Sequence, residues 1–132
     1  MKVLICGSRE WNDIYAILRE LRDLPPDITV IHGAARGADR LAGAAAEGIG
    51  LKVVAVPAEW NRDGRGAGPV RNQKMLDMGP DLVVAFPVRG SRGTMDMIRR
   101  SLRKGVKVRV YDEATHECKQ VESDEEARVY NA

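Results

Sequence analysis

The sequence predicts an α/β fold built on a doubly wound parallel sheet, and three observations carry that prediction. Short β-branched runs alternate with segments of helical period along the first 110 residues. Nearly every strand-like run ends in a glycine- or proline-containing turn. The first four runs are largely apolar, as strands buried on both faces are. Right-handed crossovers then leave a Rossmann-like sheet of order 3-2-1-4-5 as the leading topology.

Each element follows from its residues. Lys2–Cys6 is a short apolar strand, and the turn Gly7-Ser8-Arg9-Glu10 ends it. Ile14, Ile17, Leu18 and Leu21 recur at helical spacing, so residues 13–23 are expected to be helix, with Asn12 or Asp13 as N-cap. Leu24-Pro25-Pro26-Asp27 breaks the chain before a second strand, Ile28–Ile31. Ala38–Glu47 reads as a helix with small residues on most faces, able to pack close to a sheet and stopped by Gly48 and Gly50. Val53–Val56 is a third strand.

Residues 57–68, PAEWNRDGRGAG, have no apolar period and are expected to form a loop. Pro69 suits the first turn of a helix running to about Met78. Leu82–Phe86 is a fourth strand, and residues 87–93 form another loop. Thr94–Lys104 is helical, with Met97, Ile98 and Leu102 inward and Arg99, Arg100 and Arg103 outward. Val106–Tyr111 is a fifth strand. Cys118–Val121 is expected to return beside it as an antiparallel hairpin strand. Residues 1–121 thus form one domain, and residues 122–132 an acidic C-terminal tail or short helix.

Composition narrows the function. No run of eighteen apolar residues exists, so no membrane span is expected, and MKVLICGSRE reaches a turn too soon for a signal peptide. A cytoplasmic protein is expected. Two cysteines and two histidines at scattered positions make no zinc pattern, so no metal site is expected, and no resident cofactor. Seven acids and two bases fall in residues 111–132, which leaves +7 on the first 110 residues of a chain of net charge +2. Most of the basic charge is arginine, which suits bidentate contact with phosphate or carboxylate. Arg9, Arg36, Arg65, Arg71, Arg89 and Arg92 all fall in or beside glycine-containing turns.

Ligands of open α/β sheets bind beyond the carboxyl ends of the strands, where the strand order reverses. Here that crevice lies between strands 1 and 4. Three loops converge on it: Gly7, Ser8 and Arg9 after strand 1; IHGAARGAD, with Gly33, Ala34, Arg36, Gly37 and Asp39, after strand 2; and Gly90, Ser91, Gly93 and Thr94 after strand 4. Helix starts offer unpaired N–H groups and partial positive charge, so an anion is the natural guest. GxGxxG and GxxxxGK[ST] are both absent, so the chain carries neither the dinucleotide fingerprint nor a P-loop. A carboxylate at Asp39 favours a helix start by itself; toward a ligand it suits ribose hydroxyls better than phosphate. Trp60 is expected to contact the ligand and Trp11 to pack internally.

Together, GSREW near the start, IHGAARGAD, PAEW followed by GRGAGPVRNQKM, and FPVRGSRGTMDM resemble the YspA-like family of the SLOG superfamily. That superfamily also holds DprA/Smf proteins and the LOG cytokinin-activating enzymes. The resemblance covers residues 1–110. It implies a pocket for a nucleotide or an ADP-ribose-like derivative, with Asn72 beside Arg71 at its edge, and makes a homodimer plausible. LOG enzymes hydrolyse the N-glycosidic bond of a nucleoside 5′-monophosphate with an arginine, matched here by Arg71, and a glutamate in PGGxGTxxE. The matching position is Met97, which cannot act as acid or base. Asp96 lies next to it, about 100° away around the helix. The resemblance therefore implies a nucleotide-derivative binding protein, with a LOG-like phosphoribohydrolase as the alternative. DprA-like nucleic-acid binding has little support from a charge of +2 and no basic stripe with interleaved aromatics.

Overall fold

A computed structural model describes residues 1–131. Six strands form one sheet: β1 (Lys2–Gly7), β2 (Thr29–His32), β3 (Lys52–Ala55), β4 (Leu82–Phe86), β5 (Lys107–Asp112) and β6 (Glu117–Val121). Their order is β3-β2-β1-β4-β5-β6. The first four pairings are parallel, and β5 and β6 pair antiparallel, with Tyr111 opposite Cys118. The fold class, the strand order and the terminal hairpin agree with the sequence.

Strand alternation sorts the apolar residues onto two faces. On one, Val3, Ile5, Val30, Val84 and Phe86 pack against α1 (Ile14–Arg22) and α2 (Ala38–Gly48). On the other, Leu4, Cys6, Ile31, Val83, Ala85, Val108 and Val110 pack against α4 (Ala67–Asp77), α5 (Arg92–Lys104) and α6 (Asp124–Asn131). The small residues of α2 have the predicted use: Ala38, Ala42, Ala45 and Ala46 are buried, and a Cβ at Gly43 would stand 2.7 Å from His32 Nε2. Asp13 caps α1, its Oδ1 accepting from the Tyr15 and Ala16 amides at 3.0 and 3.2 Å.

The chain end takes the helical form. Ala127 of α6 is buried in the second core, beside half-buried Tyr130. Trp11 packs as expected, 5.3 Å from Phe86 and 5.4 Å from Tyr111 between ring centroids, with its Nε1–H donating to Asp13 O at 2.8 Å. The stretch expected to be a plain loop differs. Trp60–Asp63 forms one helical turn, α3, and Gly64–Gly66 a 3-10 turn leading straight into α4. No helix among the described residues is long and apolar enough to cross a membrane.

Candidate functional site

The carboxyl ends of β1 and β4 open into a cleft of about 670 Å³. Its first wall is the turn after β1. Gly7 is tight against its neighbours: a Cβ there would lie 2.5 Å from Phe86 O and 2.6 Å from Ala38 Cβ. The Ser8 amide donates to Phe86 O at 3.0 Å, and Ser8 Oγ accepts from the Glu10 amide at 3.0 Å. This turn brings Ser8, Arg9 and Glu10 to the cleft.

The turn after β2 is built by side chains that hold its own backbone. His32 Nδ1 accepts from the Ala34 amide at 3.0 Å, and Arg40 Nε donates to Ala34 O at 3.2 Å. Ala34 is thereby held at φ 59, a left-handed conformation unusual for a residue with a Cβ. Asp39 Oδ2 accepts from the Ala35 amide at 3.2 Å, and Asp39 is only 6% exposed. Burial pushes its carboxyl up to about 6, against the opposing pull of the Ala35 N–H and the Arg71 charge. Burial also lowers the His32 pKa, which keeps the imidazole neutral with Nδ1 as acceptor.

The third wall comes from α4 and α5. Arg71 donates through Nη1 to Gly33 O and through Nε to Asn72 Oδ1 at 3.0 Å. Asn72 Nδ2 donates to Gly93 O at 3.3 Å and to Asp96 Oδ2 at 3.0 Å. Arg100 Nε holds the same Asp96 oxygen at 2.9 Å. One hydrogen-bonded chain therefore joins the β2 turn to both helices. Ser91 Oγ and Thr94 Oγ1 bond to each other at the start of α5. Neither α2, α4 nor α5 has a side-chain hydrogen bond at its N-cap.

The expected site residues divide into two groups. Gly7, Ser8, Arg9, Asp39, Trp60, Arg71 and Asn72 line the cleft, as do Gly90, Ser91, Gly93 and Thr94. Gly33, Ala34, Arg36 and Gly37 stand behind it. A Cβ on Gly33 would meet Arg71 Nη1 at 2.3 Å and Asp39 Oδ2 at 2.8 Å. Gly37, at φ 78, has Ser8 O and Arg9 O at 2.4 and 2.5 Å from such a Cβ. What comes close to these two glycines is the protein itself. Arg36 pairs with Glu10 at 2.8 Å on the exposed surface, joining two loops.

The helical phase of α5 corrects the sequence reading at two positions. Met97 is fully buried in the second core, while Asp96 lines the cleft, so the carboxylate that reaches the site is one residue before the position the resemblance singles out. Arg99, expected outward, also lines the cleft. Arg92, Asp96 and Arg99 stand at i, i+4 and i+7 of α5, where the sequence reading placed Arg92 in the preceding loop and Arg99 outward. Glu10 lines the cleft with the rest of the β1 turn, and Cys6 and Met75 are further lining residues that the sequence reading did not include. Burial, with the Asp39 charge beside it, pushes the Cys6 thiol far up, so it is protonated and unreactive.

The cleft holds six arginines, Arg9, Arg65, Arg71, Arg89, Arg92 and Arg99, against three carboxylates, Glu10, Asp39 and Asp96. Such a cleft is complementary to an anion that also carries hydrogen-bond donors. No group of three or more His, Cys, Asp or Glu side chains suited to a metal ion occurs among the described residues.

Comparison with known proteins agrees with this architecture. Residues 1–62, which carry the first two of the cleft's loops, match the model of the family described as YAcAr: YspA, cpYpsA-related SLOG family. The chain is 37% identical over 116 residues to the Gene 61 protein of Mycobacterium phage D29, covering 81% of this chain and 93% of that one. The fold is similar to the X-ray structure of DNA processing protein A (DprA) from Streptococcus pneumoniae, with a TM-score of 0.71 over 83% of this chain. Identity there is 20%, and the chain spans about half of that structure, 49%. A match through the β1 and β2 loops, a relative aligned over nearly its whole length and the strand order of the sheet agree: the chain belongs to the YspA, cpYpsA-related SLOG family.

Proposed function

We propose that the protein binds a nucleotide or nucleotide derivative, with its phosphate at the start of α5 among the cleft arginines and its ribose toward Asp39. The observation that carries this reading is the convergence on one cleft of six arginines, the turn after β1 and the start of α5. Backbone N–H groups and guanidinium forks are the donors that phosphate oxygens take. The volume of about 670 Å³ lies within the range of small-molecule and cofactor pockets. Asp39, buried at the cleft wall, is an acceptor matched to a sugar hydroxyl rather than to a second anion. A thermal-shift screen of AMP, ADP-ribose, NAD and cyclic dinucleotides tests the reading. A ligand present at a hundred times its Kd stabilises the fold by about 2.7 kcal/mol. No shift with any of the four classes refutes it.

A second reading, hydrolysis of the N-glycosidic bond, is favoured by one observation. The Asp39 carboxyl, held near pKa 6 beside Arg71, exchanges a proton close to neutral pH, as a general acid or base does. Free base released from a bound nucleotide, and lost with Asp39→Asn, is the result that promotes this reading over simple binding.

A further inference from the structure

Between β3 and α4 the chain crosses the rim of the cleft without a buried anchor. From Pro57 to Gly66 not one residue is buried. Its hydrogen bonds are local: the Arg62 and Asp63 amides donate to Glu59 O at 3.0 and 2.8 Å, and the Arg62 guanidinium pairs with Asp63 of the same turn. Two of its side chains, Trp60 and Arg65, line the cleft. Trp60 is 51% exposed, lines the cleft, and has the Arg9 guanidinium 6.0 Å from its ring centroid. Its ring edge lies 3.9 Å from where a Cβ on Gly68 would be.

The glycines of the segment point the same way. Gly64, at φ 58, serves a turn. Gly66 is at φ −79, a conformation any residue adopts, and a Cβ there would meet nothing within 4 Å. Neither packing nor dihedral angle requires glycine at Gly66, so what it adds is backbone freedom at the joint with α4. A surface segment with no buried anchor, local hydrogen bonds and a free joint belongs to the low-stability end of a structure.

We propose that residues 57–66 are a lid over the cleft, and that Trp60 makes it selective for ligands with a planar base. The proposal rests on the nucleotide reading above and adds how that site discriminates. In the free protein the Arg9 guanidinium stands 6.0 Å from the centroid of the Trp60 ring. A base entering the cleft gives the indole a second planar partner, and stacking on an aromatic ring is worth about 1–3 kcal/mol per base. That energy draws the lid down. A sugar phosphate without a base occupies the arginines and leaves the lid where it is.

The lid carries its own reporter. Arg62 is exposed and does not line the cleft, so a ligand cannot shield it by direct contact. Native-state trypsin cleavage after Arg62, read by mass spectrometry, follows the open population of the lid. AMP and ribose 5-phosphate are compared, each at saturation fixed by calorimetry on the intact protein. AMP is expected to slow cleavage after Arg62 by about tenfold, the equivalent of about 1.4 kcal/mol of closure, and ribose 5-phosphate by less than about twofold. Trp60→Ala, confirmed folded by circular dichroism, is expected to lose the AMP protection, and Trp60→Phe to retain it. AMP bound with cleavage unchanged overturns the lid while the nucleotide reading stands. Equal protection by the two ligands overturns the selective role of Trp60. If neither compound binds, the nucleotide reading fails for these probes and the lid falls with it.

Discussion

Arg71 reaches from α4 across the cleft to donate to the carbonyl oxygen of Gly33, thirty-eight residues earlier in the chain. The contact exists because Gly33 has no side chain: a Cβ would occupy the place of Nη1. The guanidinium is half-buried and its pKa is lowered by that burial, with Asp39 restoring part of the loss. It is held by the protein before any ligand arrives, and such preorganisation lowers the entropic cost of binding.

Gly33→Ala therefore displaces Arg71 rather than breaking the fold. The flexible guanidinium yields, the Asp39 carboxylate must shift with it, and overpacking of this kind typically costs about 1–3 kcal/mol. Expected is a folded protein whose affinity for a phosphorylated ligand falls about as far as in Arg71→Ala. Calorimetric titration of both variants checks it, and wild-type affinity in Gly33→Ala refutes the dependence.

Gly37→Ala has the opposite profile. The obstacles are the backbone oxygens of Ser8 and Arg9, which cannot swing aside, and φ 78 with ψ −129, a combination held almost only by glycine, adds about 1–3 kcal/mol for a residue with a Cβ. A loss of about 3 kcal/mol in unfolding free energy is expected, read by urea denaturation. A stable Gly37→Ala protein that no longer binds would show instead that a ligand, not the β1 turn, approaches this glycine.

Much of this was legible in the sequence, and the boundary of what was not has a physical cause. Strand order, the hairpin and the three loops follow from apolar runs and turn residues, because burial on both faces of a sheet leaves few alternatives. The purpose of the glycines does not. Gly33 and Gly37 read identically as sites of close approach, and only in the folded chain does Arg71 approach one and the β1 turn the other. Asp96 and Arg99 were missed for a related reason. Apolar spacing fixes which side of α5 meets the core, but the polar arc divides between solvent and cleft according to where α4 and the loops lie. Residues 60–66 carry no apolar period because none of them is buried, so a pattern-based reading sees only a loop.

Asp39 predicts how stability changes with pH. Its folded pKa, about 6, lies above its unfolded value of 3.8. The folded state thus binds more protons between those values, and the protein gains stability as pH falls from about 7 toward 4. The gain is on the order of 2–3 kcal/mol for a shift of this size. His32 opposes it: its pKa is lowered by burial, so its contribution is full above 6.5 and is lost as pH falls below that. Asp39→Asn removes the first effect alone. At pH 8 the variant should be more stable than the wild type, with the difference closing toward pH 4. Denaturation midpoints across that range check it, and a constant difference at all pH values refutes the assignment.

Asp96 holds the far end of the chain that positions Arg71. Its Oδ2 accepts from both Asn72 Nδ2 and Arg100 Nε, which fixes which way the Asn72 amide faces. That orientation turns Asn72 Oδ1 toward Arg71 Nε. With Asp96→Ala, Asn72 Nδ2 keeps Gly93 O at 3.3 Å but loses its charged acceptor, so the amide is free to rotate and Arg71 loses its Nε partner. Arg100 keeps Gln73 Oε1, at 2.9 Å, so α4 and α5 stay joined. A hydrogen bond to a charged group contributes about 1.5–3 kcal/mol, and because this one sits at a partly exposed site we expect about 1 kcal/mol in stability. The loss in affinity should exceed that and should depend on Arg71. In a double-mutant cycle with Arg71→Ala, the two substitutions should cost together little more than Arg71→Ala alone. Additive losses would mean that Asp96 touches the ligand by itself, through the carboxylate edge it presents to the cleft, and not through Arg71.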